Sequence, residues 1–373
     1  MRHVDRVVAA LYHEEPDMVP IVEAFTTPEA LDLFVGDLLG RTVDLFVASR
    51  QGRSAYGLKR KLMLARWWGN DIVTVGVNAP TLLSETVVCD RREDGYIIVK
   101  QAYGSITLTR RKPYFHKVLH SPVRWPEDLD RIEPPDLEEY TPQIESIARE
   151  VEWFKERGYF VEGFHNGPFV MTWHWLRGLT QFLMDIARDR NFAKRLVEFG
   201  MKHQIELSKA ILDEAGLDAI RIGNDMGTTR SLFFSPEAYK DIFHTWEKRL
   251  VKEYHKRGVF VFHHCHGNIN LILKEMVDTG IDALDPLDPK VIDLAEVKEK
   301  YGDRITLRGG ISKYIGTYNR REIYEHVSDR IRIGAPGGGY ILMSAGGLPH
   351  VMPKENVIHY KEVVKRLRRY RPG

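Results

Sequence analysis

Short apolar, β-branched runs alternate with longer stretches in which apolar residues recur three and four positions apart, and the rhythm holds over most of the chain. The short runs are "MVPIVEA" (18–24), "DIVTVGV" (71–77), "GYFVEGF" (158–164), "LDAIRIG" (217–223), "GVFVFHH" (258–264), "IDALDPL" (281–287), "RITLRGG" (304–310) and "GYILMSA" (339–345). Each has the length of a buried strand. The spacers read as helices: 190–216 stops at Gly216, and 235–258 opens on Ser235 and Pro236 and closes on Gly258. Strands alternating with helices predict a parallel sheet under a helix layer, and eight of them predict an α/β fold of the (β/α)8 TIM-barrel class.

One segment breaks the rhythm. Between the second and third runs, 85–115 alternates apolar and polar positions with turn signals at "EDG" and "YGS", which predicts an antiparallel β-hairpin. With the Pro-rich stretch after it, this makes an insertion at about 80–137 over one end of a single barrel domain spanning 1–373. "GAPGGGY" (334–340) precedes the eighth run, so it falls at the amino-terminal face of the barrel and reads as a tight turn.

Composition narrows the classes. The chain has 373 residues, and 54 basic against 52 acidic residues give a net charge of +2, so no field for nucleic acid is implied. Neither a signal peptide nor a membrane span is visible, and a cytoplasmic protein is expected. Cys89 and Cys265 are the only cysteines, so a disulfide is not expected and a transition metal would have to rely on imidazole and carboxylate.

Barrels of this class build their sites from the carboxyl ends of the strands. There the sequence places Glu23, Asn78, His165, Asn166, Asn224, Asp225, the His263 to His266 cluster, Asp285, Asp288, Gly309, Gly310, and Ser344 to Gly347. Alternation along the fifth strand puts His264 and His266 on one face, with His263 and Cys265 on the other, against the helix layer. An i, i+2 imidazole pair suits zinc, with a third ligand from Glu23, Asp225 or Asp285; the same histidines serve equally well as metal-free substrate contacts. "RGGIS" (308–312) and "SAGGLP" (344–349) follow the last two strands, where backbone amides often hold an anion.

Several phrases together resemble the uroporphyrinogen decarboxylase superfamily, which includes methyltransferases that exchange methyl groups with corrinoid proteins. They are "DRVVAALYHEEPDMVPI", "HNGPFVMTWHWLRG", "IRIGNDMGTTRSLFFSP", "HCHGNINLILKEMVDTGIDALDPLDP", "YGDRITLRGGIS" and "GGGYILMSAGGLPHVMPKENV", in family order over nearly the whole chain. The resemblance implies the same barrel and, by carry-over, a homodimer. It also shows departures. The decarboxylases carry an Arg-rich loop after the first strand, where this chain reads "VEAFTTPE"; their tyrosine falls on His174, and their second-strand aspartate falls near Asn78. The methyltransferases bind zinc through a His-x-Cys pair and a later cysteine, where this chain has His264-x-His266 and Gly346.

These departures point away from a tetra-acidic porphyrinogen. The expectation is a zinc-dependent methyltransferase moving a methyl group from a small substrate to a corrinoid protein. In it His264 and His266 bind the metal, and Asp225, His174 and Glu23 act in catalysis. Asn78, His165, Asn166, Asn224, Gly309, Gly310 and Ser344 contact the substrate. The alternatives are a metal-independent decarboxylase of a small carboxylate and a non-catalytic binding barrel.

Overall fold

The computed structural model describes residues 1–26, 30, 33, 55–87, 95–110, 113 and 115–370. Its central feature is a seven-stranded parallel sheet of β1 (Ile72–Gly76), β6 (Phe160–Asn166), β7 (Ala219–Gly223), β8 (Phe260–His264), β9 (Ala283–Leu287), β10 (Thr306–Ile311) and β11 (Tyr340–Ser344), in that order. Seven of the eight expected strands are therefore present. The first run, 18–24, forms isolated bridges instead of a ladder. Pro20 and Ile21 still lie between the two edges of the sheet: Leu342 donates its N–H to the Pro20 carbonyl (2.9 Å), and Asp71 donates to Ile21 (2.8 Å).

The insertion is larger than a hairpin. β2 (Glu85–Val87), β3 (Tyr96–Lys100), β4 (Ile106–Arg110) and β5 (Phe115–His120) form a four-stranded antiparallel sheet between β1 and β6 in the chain. The "YGS" signal does turn the chain, with Gly104 at φ +87° between β3 and β4. The "EDG" turn begins outside the described residues, as does Cys89.

Helix ends follow their local chemistry. The helix Arg190–Ala215 starts where the Asp189 carboxylate accepts the Phe192 N–H, and it stops at Gly216 in the left-handed region. Ser235 caps the next helical segment by accepting the Ala238 N–H. None of the described helices is long and apolar enough to cross a membrane.

Inside the curled sheet the side chains stand in layers, because residues two apart share a face and are separated by about 6–7 Å. The lower layer is apolar: Val22, Ile72, Phe160, Ala219, Phe262, Ala283 and Ile341 pack with Val7 and Leu11 of the helix His3–Leu11. Two residues further along each strand come Thr74, Glu162, Arg221, His264, Asp285 and Arg308. The floor is thus greasy, and the layer above it is charged.

Candidate active site

The charged layer is a closed set of pairs. Arg308 donates to Glu162 through Nη1 (2.6 Å) and Nη2 (3.2 Å), and its Nε lies 3.2 Å from Asp285. Arg221 lies 3.1 Å from Glu162 and 3.6 Å from Asp285, and Thr74 donates its hydroxyl to Glu162 (2.7 Å). Glu162, Asp285 and Arg308 are all buried. Burial pushes the Glu162 and Asp285 carboxyls up, but the adjacent guanidiniums more than offset it and hold both below the usual carboxylate range. Two carboxylates therefore balance two guanidiniums.

His264 stands on this base. Its Nδ1 is 3.0 Å from Asp285 Oδ1 and 3.3 Å from Arg221 Nη1. The Asp285 contact is shorter and charge-assisted, so it selects the tautomer with the proton on Nδ1. The Nε2 lone pair then faces Asp225, whose Oδ1 is 3.8 Å away and whose side chain is 48% exposed. That exposure marks the open end of the site. Asp225 Oδ1 also accepts the His266 backbone N–H (2.8 Å). The His266 ring stands edge-on to His264, with centroids 4.9 Å apart. Burial and the neighbouring His264 push the His266 imidazole down.

Gly346 explains how His266 is seated. A Cβ there would overlap the His266 ring, coming within 2.5 Å of Nε2, and the backbone sits at φ +87°. The glycine thus makes room for an imidazole. Gly346→Ala is expected to cost about 1–3 kcal/mol and to displace His266, read as a lowered thermal midpoint and a shifted His266 ring resonance in NMR.

His264 Nε2 and Asp225 Oδ1 approach one another, but among the described residues no three His, Cys, Asp or Glu side chains are grouped to hold an ion.

Several other expected residues lie elsewhere. Glu23 follows Val19 and Ile21 by alternation, and these belong to the outer core with Trp68 and Tyr360, whereas Val22 faces inward. Its Oε1 accepts the Ser344 N–H, its Oε2 has no partner, and its charge bears on Tyr360. Neither Glu23 nor Ser344 joins His264. Burial pushes the Glu23 carboxyl up to about 8, against the Ser344 backbone hydrogen bond and the Arg308 charge. The folded chain therefore keeps this proton where the unfolded chain, near 4.5, has lost it. Stability should fall as pH rises from about 4.5 to 8, by up to roughly 5 kcal/mol from this group. Glu23→Gln should remove that slope, which denaturant midpoints at pH 5 and pH 8.5 would check; parallel pH profiles for both proteins would refute it.

His165 is fully buried on the outer side, bonded to Tyr254 (2.8 Å) and to the Asn166 carbonyl (2.9 Å), because alternation along β6 turns it away from Asn166. Asn224 also faces the helices: it donates to Glu247 (2.7 Å) and accepts the Phe169 N–H (2.9 Å). His263 pairs with the same Glu247 (2.9 Å), and Cys265 is a buried free thiol. Asn78 ties two strand ends by accepting the Asn166 N–H (3.1 Å). His174 lies in the π-helical turn Trp173–Arg177, stacked on His116 of β5 with centroids 5.3 Å apart, and burial pushes it down to about 4. Gly309 and Gly310 are buried within β10: a Cβ on Gly309 would collide with the Leu287 backbone, so they serve close packing and not an open amide cradle.

Glu162, Arg221 and Arg308 were not among the expected residues. Their signal was a charged residue inside an apolar run, as in "YFVEGF", "DAIRIG" and "ITLRGG".

Comparison with known proteins agrees with this architecture. The family described as Uroporphyrinogen decarboxylase (URO-D) matches residues 107–367. The uroporphyrinogen decarboxylase of Nostoc punctiforme is 21% identical over 253 residues, covering 67% of this chain and 70% of that protein. The methylcobamide:CoM methyltransferase MtaA of Methanosarcina barkeri is 30% identical over 201 residues, covering 51% of this chain and 57% of that one. A solved methyltransferase from Methanosarcina mazei superposes with a TM-score of 0.71 over 98% of this chain and 99% of its own, at 18% identity, and so shares the fold. On the match over 107–367, the chain belongs to the uroporphyrinogen decarboxylase (URO-D) family.

Proposed function

We propose that this chain is an enzyme of one-carbon transfer, taking a methyl group from a small methyl ether or methylamine and passing it to a corrinoid carried by a partner protein. The observation that carries the reading is the commitment of charge inside the sheet. Arg221 and Arg308 are both bound to Glu162 and Asp285, so neither is free to hold the carboxylates of a tetrapyrrole. The reacting end is left with His264, fixed from below and open at Nε2. The 30% identity with the methyltransferase MtaA, over 201 residues, supports the same reading. Residues 18–25 are taken as the eighth stave that closes the barrel, since Ile21 bridges to Leu342 and also accepts the Asp71 N–H.

In the transfer, the bond between heteroatom and methyl carbon breaks, its electron pair stays on the heteroatom, and the heteroatom takes up a proton. A reduced corrinoid supplies the electron pair for the new bond to carbon. His264, having taken a proton from solvent at its open Nε2, delivers it to the heteroatom, and Asp285 stabilises the intervening imidazolium at Nδ1. Asp225, at the open end, orients the heteroatom.

The test is to mix the purified chain with a Co(I) corrinoid and a panel of methyl ethers and methylamines, following the cobalt spectrum and the demethylated product. Stoichiometric appearance of both is expected. Release of carbon dioxide from a small carboxylate, with no demethylation, would overturn the reading and favour the decarboxylase relatives.

A further inference from the structure

The open end of the site is electrically lopsided. Asp225 stands on one side, half-exposed beside His264. Among the loops at the strand carboxyl ends, two lysines flank one ring: the Lys290 ammonium lies 4.9 Å from the centroid of Tyr314, and the Lys313 ammonium lies 5.4 Å from it. Both come from loops at strand carboxyl ends, Lys290 three residues beyond β9 and Lys313 two residues beyond β10. Among the described residues, neither ammonium has a carboxylate within the 4.0 Å of an ion pair. The neighbouring Asp288 is spent on the loop itself, accepting the Lys290 backbone N–H (3.0 Å). The face of one tyrosine attracts cations but cannot neutralise two of them.

Lys313 also belongs electrically to the site, because its charge is one of those that push the His266 imidazole down. The mouth therefore offers a negative edge at Asp225, an imidazole pair at its centre and a positive edge at Lys313, with Lys290 on the same Tyr314 ring. A neutral substrate would leave that positive edge unused.

We infer that Lys313, backed by Lys290, is the specificity-determining anion contact of this site, and that the methylated substrate carries a carboxylate held there while its methyl group lies at His264. The inference rests on the proposed methyl transfer for the identity of the reacting end, but the anion contact itself is measurable as binding alone. The barrel guanidiniums cannot take this role, being paired already.

The experiment is calorimetric titration with matched pairs of probes: methoxyacetate against 2-methoxyethanol, and 4-methoxybenzoate against 4-methoxybenzyl alcohol. The unmodified chain is expected to bind the carboxylate of at least one pair some tenfold or more tightly than its neutral partner. Lys313→Met should weaken carboxylate binding about 10- to 100-fold and leave the alcohol unchanged, the range for a lost charge-assisted hydrogen bond. Lys313→Arg should retain most of the preference. Lys248→Met, on the exposed face of the helix Thr245–His255, should change nothing.

Equal binding within both pairs, binding of neither member, or an unchanged preference in Lys313→Met would each overturn the inference. If the preference depends on Lys313 while no methyl group is transferred, the functional reading fails and the anion contact stands. If ethers are demethylated without regard to charge, only the anion contact fails.

Discussion

Replacing His264 by alanine should leave a folded protein whose methyl transfer is slower by roughly 10²- to 10⁴-fold, the range for loss of a positioned acid or base. The side chain is 14% exposed and occupies the top of the charged layer, so its removal opens space toward solvent instead of a sealed cavity. Circular dichroism and the thermal midpoint should change little, whereas turnover under saturating substrate should collapse. Asp285→Asn probes the same pair from below. The amide still fills the place of the carboxylate, but it removes the charge that stabilises an imidazolium and it unbalances Arg308 and Arg221. Activity and stability should therefore fall together in that variant. An alanine at 264 with full activity would remove His264 from the reaction.

The second large effect concerns stability. Arg308 is 1% exposed and bridges Glu162 of β6 to Asp285 of β9, so Arg308→Met strands buried carboxylate charge. The expected loss is about 3–5 kcal/mol, because the desolvation of the remaining ions is no longer offset. Glu162→Gln alone should destabilise for the mirror-image reason. Combining the two should cost less than the separate losses added together, since the double variant removes both members of one pair. Thermal midpoints of the four proteins measure the coupling. Strict additivity would show that Arg308 and Glu162 do not depend on one another.

These expectations also show where the chain was legible. Parallel strands between helices could be read because the apolar runs are long enough to be buried, and because Ser235, Gly216 and Gly258 punctuate the spacers. Seven of the eight runs became strands of one parallel sheet. The region after strand 1 of that sheet was legible as antiparallel from its alternation, but its count of four strands was not, since a meander and a single hairpin share the same period. At the open end, His264 and Asp225 were visible as polar residues beside apolar runs, and the structure brings them to 3.8 Å.

What the sequence by itself determined is the period: which residues share a strand face, and hence that His264 and His266 point one way and His263 and Cys265 the other. Period does not say which face is inside. Glu23, His165, Asn224 and Ser344 sit at strand ends like the others, yet they lie on the faces that meet the helices, where Tyr360, Tyr254 and Glu247 receive them. Only the tertiary structure decided that. Curling seven strands around one axis brings Glu162, Arg221, Asp285 and Arg308, far apart in sequence, to a single level. The low dielectric there makes their mutual pairing obligatory and leaves His264 as the group that faces out.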